Sequence, residues 1–143
     1  MVFLQEVIRE NEAILIDSLR SSYEFVTGNL TDFYNGHNLT RLNPKEYFTM
    51  ILVKKKTCSI TSKDLIIFEN SMMSRNLLKV ELIYREVVSL CVMTTHLEST
   101  KEFANQRMAQ LKKCFTHVQA QNPNMVVFFG GDLNIRDAEV NKI

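Results

Sequence analysis

Val92-Met93-Thr94-Thr95-His96-Leu97-Glu98-Ser99-Thr100 carries an apolar strand straight into a polar loop, and Val126-Val127-Phe128-Phe129-Gly130-Gly131-Asp132-Leu133-Asn134 does the same about thirty residues on. Between them lies the clearest helix signal in the chain, from about Thr100 to Gln119. Ser99 and Glu102 form an S-x-x-E capping box, and Ala104, Met108, Leu111, Phe115 and Val118 recur at helical spacing along one face. Asn122-Pro123 ends the helix, and Gly130-Gly131 is expected to break the strand that follows. The unit is strand, helix, strand, and each strand closes on a cluster of polar residues.

Outward from this unit the chain is mostly strand. Val2-Phe3-Leu4 predicts a buried strand, and Gln5-Glu6 follows it as a third polar cluster at a strand end. A helix is expected over 11–21, with Asn11 as its cap and Leu15, Ile16 and Leu19 on its inner face. Further strands are predicted at 23–27, 47–54, 59–68, 77–84 and 87–95, the last two joined by a hairpin at Arg85-Glu86. The polar stretch 29–45, with Asn35-Gly36 and Asn43-Pro44, predicts a long loop. Hairpin-linked strands with two flanking helices imply a layered α/β (α+β) domain spanning 1–143, not a purely parallel sheet. Neither GxGxxG nor GxxxxGK[ST] occurs.

Bulk properties set wide limits. The 143 residues suit one domain, and 45% hydrophobic against 23% charged residues argues for a folded core. A net charge of +1 leaves nucleic-acid binding to a local basic patch. Cys58, Cys91 and Cys114 are odd in number and widely spaced, which favours reduced thiols over disulfides or a zinc site. No apolar run approaches the roughly 18 residues of a membrane span, no signal peptide is read at the start, and no membrane partner is expected.

The three strand-end clusters hold a carboxylate at Glu6, an imidazole at His96, and the pair Asp132 and Asn134. Strand ends are where rigid scaffolds present catalytic groups. Carboxylates and an imidazole suit a hard metal ion and a phosphate, since Mg²⁺ takes oxygen ligands and keeps several waters. Each residue alone has a plain structural reading: Glu6 a solvated carboxylate, His96 a satisfied core histidine, Asp132 a turn cap, Arg75-Asn76 surface polars before a strand. The ordered coincidence of the patterns favours the functional reading.

Phe3-Leu4-Gln5-Glu6-Val7, Tyr47-Phe48-Thr49, Met72-Met73-Ser74-Arg75-Asn76-Leu77-Leu78, Thr95-His96-Leu97-Glu98-Ser99-Thr100 and Gly131-Asp132-Leu133-Asn134-Ile135-Arg136-Asp137 together resemble the endonuclease/exonuclease/phosphatase superfamily. Its fold, as the resemblance implies, is a four-layer DNase I-like β-sandwich flanked by helices. LQE and GDxN are common to the superfamily. HLEST and Met-Met…Arg-Asn-Leu-Leu are more specific, and are similar to the branch that hydrolyses 5′-tyrosyl-DNA phosphodiester bonds. That branch implies Glu6 as the ligand of one Mg²⁺ ion (Mn²⁺ as a substitute) and Asp132 as the base for the attacking water. It implies His96 and Asn134 on the scissile phosphate, and Ser99 and Arg136 on DNA phosphates. Tyr47 would line the DNA groove, Arg75 would sit near the departing tyrosine, and Asn76 would be among the residues that bind substrate or DNA. The implied partner is DNA bearing a topoisomerase-derived peptide, and the implied location is nuclear, also cytoplasmic.

The resemblance also implies a metal-holding Asn upstream and an Asp-His pair downstream, neither of which occurs in these 143 residues. The sequence is therefore expected to be partial, incomplete at both ends, and inactive alone. Glu46 stands where Gly is expected, and Ala138 where a longer polar residue is. Two other functions stay open at this point. One is a different phosphodiesterase of the superfamily, such as an abasic-site endonuclease or a deadenylase; the other is a truncated isoform that binds without turnover.

Overall fold

The computed structural model describes residues 1–29 and 47–140, and these form four layers. The predicted loop 29–45, past Asn29, and Glu46 lie outside the described residues. In chain order the elements are β1 (Val2–Val7), α1 (Arg9–Leu19), β2 (Tyr23–Thr27), β3 (Phe48–Lys54), β4 (Cys58–Ile67), β5 (Asn76–Tyr84) and β6 (Val88–His96). A 3₁₀ turn (Lys101–Phe103) then leads into α2 (Ala104–Gln119), followed by β7 (Val126–Asp132) and α3 (Asp137–Val140). One sheet has the order β1-β3-β2 and the other β4-β5-β6-β7. Every pairing is antiparallel except β6 with β7, for which α2 is the crossover.

The alternation of side chains across each strand builds the layers. Ile51 and Val53 of β3 face the second sheet, where they meet Leu78, Val80, Leu82, Leu90 and Val92 in one buried cluster. Met50 and Leu52 point the other way, with Phe48, onto Leu15 and Leu19 of α1. On the far side, Leu77, Cys91 and Met93 pack against Leu111 and Cys114 of α2. The order is α1, sheet, sheet, α2, as the resemblance implies for a DNase I-like sandwich. β3 is buried on both faces because it is the middle strand of an inner layer, which is why Met50, Ile51, Leu52 and Val53 follow one another without a polar residue.

Several sequence expectations need correction. β1 is not a buried three-residue strand. It runs on to Val7 through an irregularity between Leu4 and Val7, and Val2 is exposed. α1 begins at Arg9, with Ile8 in the cap position and no side-chain cap bond, so Asn11 lies inside the helix. The Ser99–Glu102 capping box does not form: the cap position of the 3₁₀ turn is Thr100, without a side-chain cap bond. The inner face of α2 carries Arg107, Gln110, Leu111 and Cys114, while Phe115 is largely on the outside. Apolar spacing could not find this face because two of its four members are polar. Finally, β7 does not break at the glycines: Gly130 pairs with Thr94, Gly131 with Thr95, and Asp132 with His96. The hairpin at Arg85-Glu86 forms as expected, both residues taking positive φ.

Candidate active site at the strand ends

Parallel pairing of β6 and β7 sets His96 beside Asp132, both at the last position of their strands. Gly131 makes this possible, because its φ is 152° and a Cβ there would stand 2.0 Å from the Thr95 carbonyl oxygen. Only glycine permits the two backbones to approach so closely at that angle. His96 Nε2 lies 3.6 Å from Asp132 Oδ2, with the imidazole buried and half of the Asp132 side chain exposed. The other Asp132 oxygen, Oδ1, accepts the backbone N–H of Asn134 at 3.1 Å. Asn134 has φ 51° and donates Nδ2 to the Leu97 carbonyl at 3.1 Å, which leaves its second N–H.

Behind His96 stands Arg75, with Nη1 2.8 Å from His96 Nδ1. A guanidinium has no acceptor, so Nδ1 must offer its lone pair and the imidazole proton must sit on Nε2. Burial lowers the His96 pKa, and the Arg75 charge lowers it further against the opposing pull of Asp132, Glu6 and Glu98. His96 is therefore a neutral donor whose Nε2–H faces Asp132 and the open side of the site. Arg75 is itself buried, with Nη2 on the Met73 sulfur at 3.6 Å and its guanidinium 5.5 Å from the centre of the Tyr47 ring. Burial also lowers the Arg75 pKa; Tyr47, Glu98, Glu6 and Asp132 oppose that shift.

Glu6 comes from the other sheet. It sits in the irregular stretch of β1 with φ 56°, and its side chain is exposed. Irregularities of this kind re-aim side chains next to active sites. Gln5 Nε2 donates to Thr94 Oγ1 at 3.0 Å and ties this stretch to β6. The negative charge of Glu6 raises the pKa of both His96 and Arg75, against the larger effect of burial.

The remaining predicted residues are arranged around this centre. Ser99 Oγ donates to Met73 Sδ at 3.5 Å, and Arg136 Nη2 reaches the Ser99 carbonyl at 3.4 Å. Arg136 and Tyr47 are exposed. Asn76 is buried and turned inward: its Nδ2 donates to the Gly28 carbonyl at 3.0 Å and its backbone carbonyl accepts Thr95 Oγ1 at 2.7 Å. Two further residues, Arg107 and Glu139, hold the site and were not among its expected members. Arg107, fully buried in α2, pairs with Glu139 of α3 and donates to the carbonyls of Glu98 and Thr100 at 2.8 and 2.9 Å. Glu139 Oε2 in turn accepts the Arg136 N–H at 3.1 Å. Their only sequence signal was a pair of charges at positions that should be surface.

Among the described residues, no group of three or more His, Cys, Asp or Glu side chains is arranged to hold a metal ion. What is present is one exposed carboxylate, Glu6, and one half-exposed carboxylate, Asp132; the His96 Nε2–H beside Asp132 is a hydrogen-bond donor and not a metal ligand. That donor chemistry fits a hard cation that keeps most of its waters.

No family model matches the sequence. The tyrosyl-DNA phosphodiesterase 2 of Xenopus laevis is 36% identical over 143 residues, covering all of this chain and 34% of the relative. The chain resembles tyrosyl-DNA phosphodiesterase 2 from end to end. The crystal structure of TDP2 from C. elegans superimposes with a TM-score of 0.79 at 39% identity, over 96% of this chain and 38% of that one. TDP2 from D. rerio, complexed with single strand DNA product, gives 0.83 at 31% identity over 99% of this chain and 50% of that one. The chain thus spans about a third of the length of the curated TDP2 relatives it matches.

Proposed function

We propose that residues 1–143 carry the catalytic face of a Mg²⁺-dependent phosphodiesterase that cleaves 5′-tyrosyl-DNA bonds and so removes trapped topoisomerase peptides in DNA repair. The observation that carries this reading is the His96–Asp132 pair, set side by side by β6–β7 pairing and backed by Arg75. The TDP2 relatives and the DNA product in the D. rerio structure support the substrate class.

In this reading Glu6 would hold Mg²⁺, or Mn²⁺ as a substitute, and the chemistry so supplied would be Lewis-acid polarisation of a phosphoryl oxygen. Asp132 takes the proton of the attacking water, while the Asn134 N–H on Oδ1 keeps the carboxylate oriented. His96 donates its Nε2–H to a phosphoryl oxygen, as does the second amide N–H of Asn134. Ser99 and Arg136 take the neighbouring DNA phosphate. Arg75 and Tyr47 border the leaving tyrosine, whose phenolate, with a pKa of about 10, leaves without a strong general acid. Asn76 acts beneath them by holding the turn that carries Arg75. A nuclear, also cytoplasmic, location is part of the same proposal.

A substrate panel tests it. The full-length protein that carries residues 1–143, which alone are expected to be inactive, is given a duplex with a 5′-phosphotyrosine, an abasic duplex and poly(A), each with Mg²⁺, Mn²⁺ or EDTA. Metal-dependent tyrosine release, suppressed by EDTA, is expected. Preference for the abasic duplex or poly(A) would replace the proposed substrate.

A further inference from the structure

We propose that Glu98 is a positioning residue that acts through the Ser71–Arg75 turn to hold Arg75 on His96, and thereby keeps the His96 proton on Nε2 facing the substrate. The inference rests on the phosphodiesterase reading above for its activity readout.

Glu98 lies two residues past His96 and is fully buried, with Oε1 bonded to the turn at 71–73 and Oε2 without a hydrogen-bond partner among the described residues. A buried carboxylate is costly unless donors surround it. Its Oε1 accepts Ser71 Oγ at 2.7 Å, the Met72 N–H at 2.7 Å and the Met73 N–H at 3.2 Å. Ser71 passes the constraint on: the same Oγ accepts the Arg75 N–H at 2.7 Å and the Met73 N–H at 3.3 Å. The turn so held contains Ser74 at φ 57°, a conformation a serine does not adopt without support. The far end of Glu98 is equally fixed, since its N–H reaches Gln110 Oε1 at 3.1 Å and its carbonyl accepts Arg107.

Arg75 needs this help. Its direct side-chain partners are a neutral imidazole and a thioether, and its buried Nε has no partner among the described residues. Among the described residues no carboxylate pairs with it directly; Glu98 is one of the nearby charges that favour its cation. The turn is therefore what places the guanidinium, and the guanidinium is what decides the His96 tautomer.

The test uses the full-length protein that carries residues 1–143 with Glu98→Ala, Glu98→Gln and Ser71→Ala, each checked for folding by circular dichroism. Long-range proton–nitrogen correlation spectra read the His96 tautomer, and turnover is measured on a 5′-phosphotyrosyl oligonucleotide and on its p-nitrophenyl counterpart, whose phenol leaves more readily. Glu98→Ala and Ser71→Ala should mix the two tautomers and lower tyrosyl turnover by about 10²-fold, the cost of a misplacement near 1 Å. The nitrophenyl ester, less dependent on Arg75, should lose less. Glu98→Gln, which keeps an oxygen for the turn, should restore most of both. If Glu98→Ala does not fold, Ser71→Ala decides. A single unchanged tautomer in the folded variants, or equal losses on both esters, overturns the proposal. Should the unmutated protein cleave neither ester, the phosphodiesterase reading fails, while the tautomer spectra still decide the role of Glu98.

Discussion

Replacing Gly131 with alanine should damage both the stability of the sandwich and the alignment of its candidate active site. An alanine Cβ at this position would stand 2.0 Å from the Thr95 carbonyl oxygen, 2.9 Å from its nitrogen and 3.0 Å from its carbonyl carbon. All three are backbone atoms of the neighbouring strand, so no side chain can swing aside. Ordinary contact begins near 3.4 Å, so β6 and β7 would have to part by about 1.4 Å (3.4 less 2.0) at the rung before His96 and Asp132. The backbone angle of 152° adds strain of about 1–3 kcal/mol for a residue with a side chain. Overpacking adds about 1–3 kcal/mol, giving roughly 2–6 kcal/mol against a typical total of about 5–15 kcal/mol. Urea unfolding followed by circular dichroism measures the first effect. Turnover of a 5′-phosphotyrosyl oligonucleotide, under conditions where the variant is folded, measures the second and should fall by about 10²-fold. A Gly131→Ala variant within about 0.5 kcal/mol of the parent, with unchanged turnover, would refute the register drawn between β6 and β7.

The pH dependence of stability should carry the mark of His96. Its folded pKa lies below the ordinary 6.5, so as pH falls through 6.5 the unfolded chain takes up the proton first, and stability held above 6.5 is lost toward the lower folded pKa. The slope from this one group is at most about 1.4 kcal/mol per pH unit. His117, lowered by burial as well, adds in the same direction, so His96→Gln should reduce the acid-side slope without abolishing it; an unchanged slope would contradict the buried neutral imidazole. Arg107→Met should lower the melting temperature and speed hydrogen exchange at the Glu139 N–H, because it strands Glu139 and frees the carbonyls of Glu98 and Thr100. Protection at α3 equal to the parent's would count against that anchor.

The layered architecture was legible because strand burial follows strand sequence closely here. In β3, Met50, Ile51, Leu52 and Val53 are all apolar because both faces of the strand are covered, and Tyr23–Thr27 is delimited by Gly28. The misreadings share a cause: local signals were overridden by tertiary contacts. Gly130-Gly131 has the appearance of a breaker, but the second glycine is required for close strand approach, and Asp132 is thereby delivered as the last ladder residue and not as a free turn. Ser99 and Glu102 have capping-box spacing, but Ser99 is drawn to Met73. The stripe along α2 omitted Arg107 and Gln110 because it follows apolar residues alone, and the partners that satisfy these two polar side chains, Glu98, Thr100 and Glu139, lie outside the helix. In the candidate site, the strand-end clusters at Glu6, His96 and Asp132 were visible as patterns. The Arg75–His96 contact that sets the imidazole proton was not, because it spans 21 residues and depends on how the Ser71–Arg75 turn is held.

The most direct test of the account is single-turnover release of tyrosine from a 5′-phosphotyrosyl oligonucleotide by the full-length protein that carries residues 1–143, with Mg²⁺, for the parent and for Asp132→Asn. The substitution keeps the shape and the Asn134 contact but removes the base, so the account predicts Mg²⁺-dependent release by the parent and a loss of about 10²–10⁴-fold in the variant. Release at the parental rate by Asp132→Asn would contradict the role assigned to the His96–Asp132 pair.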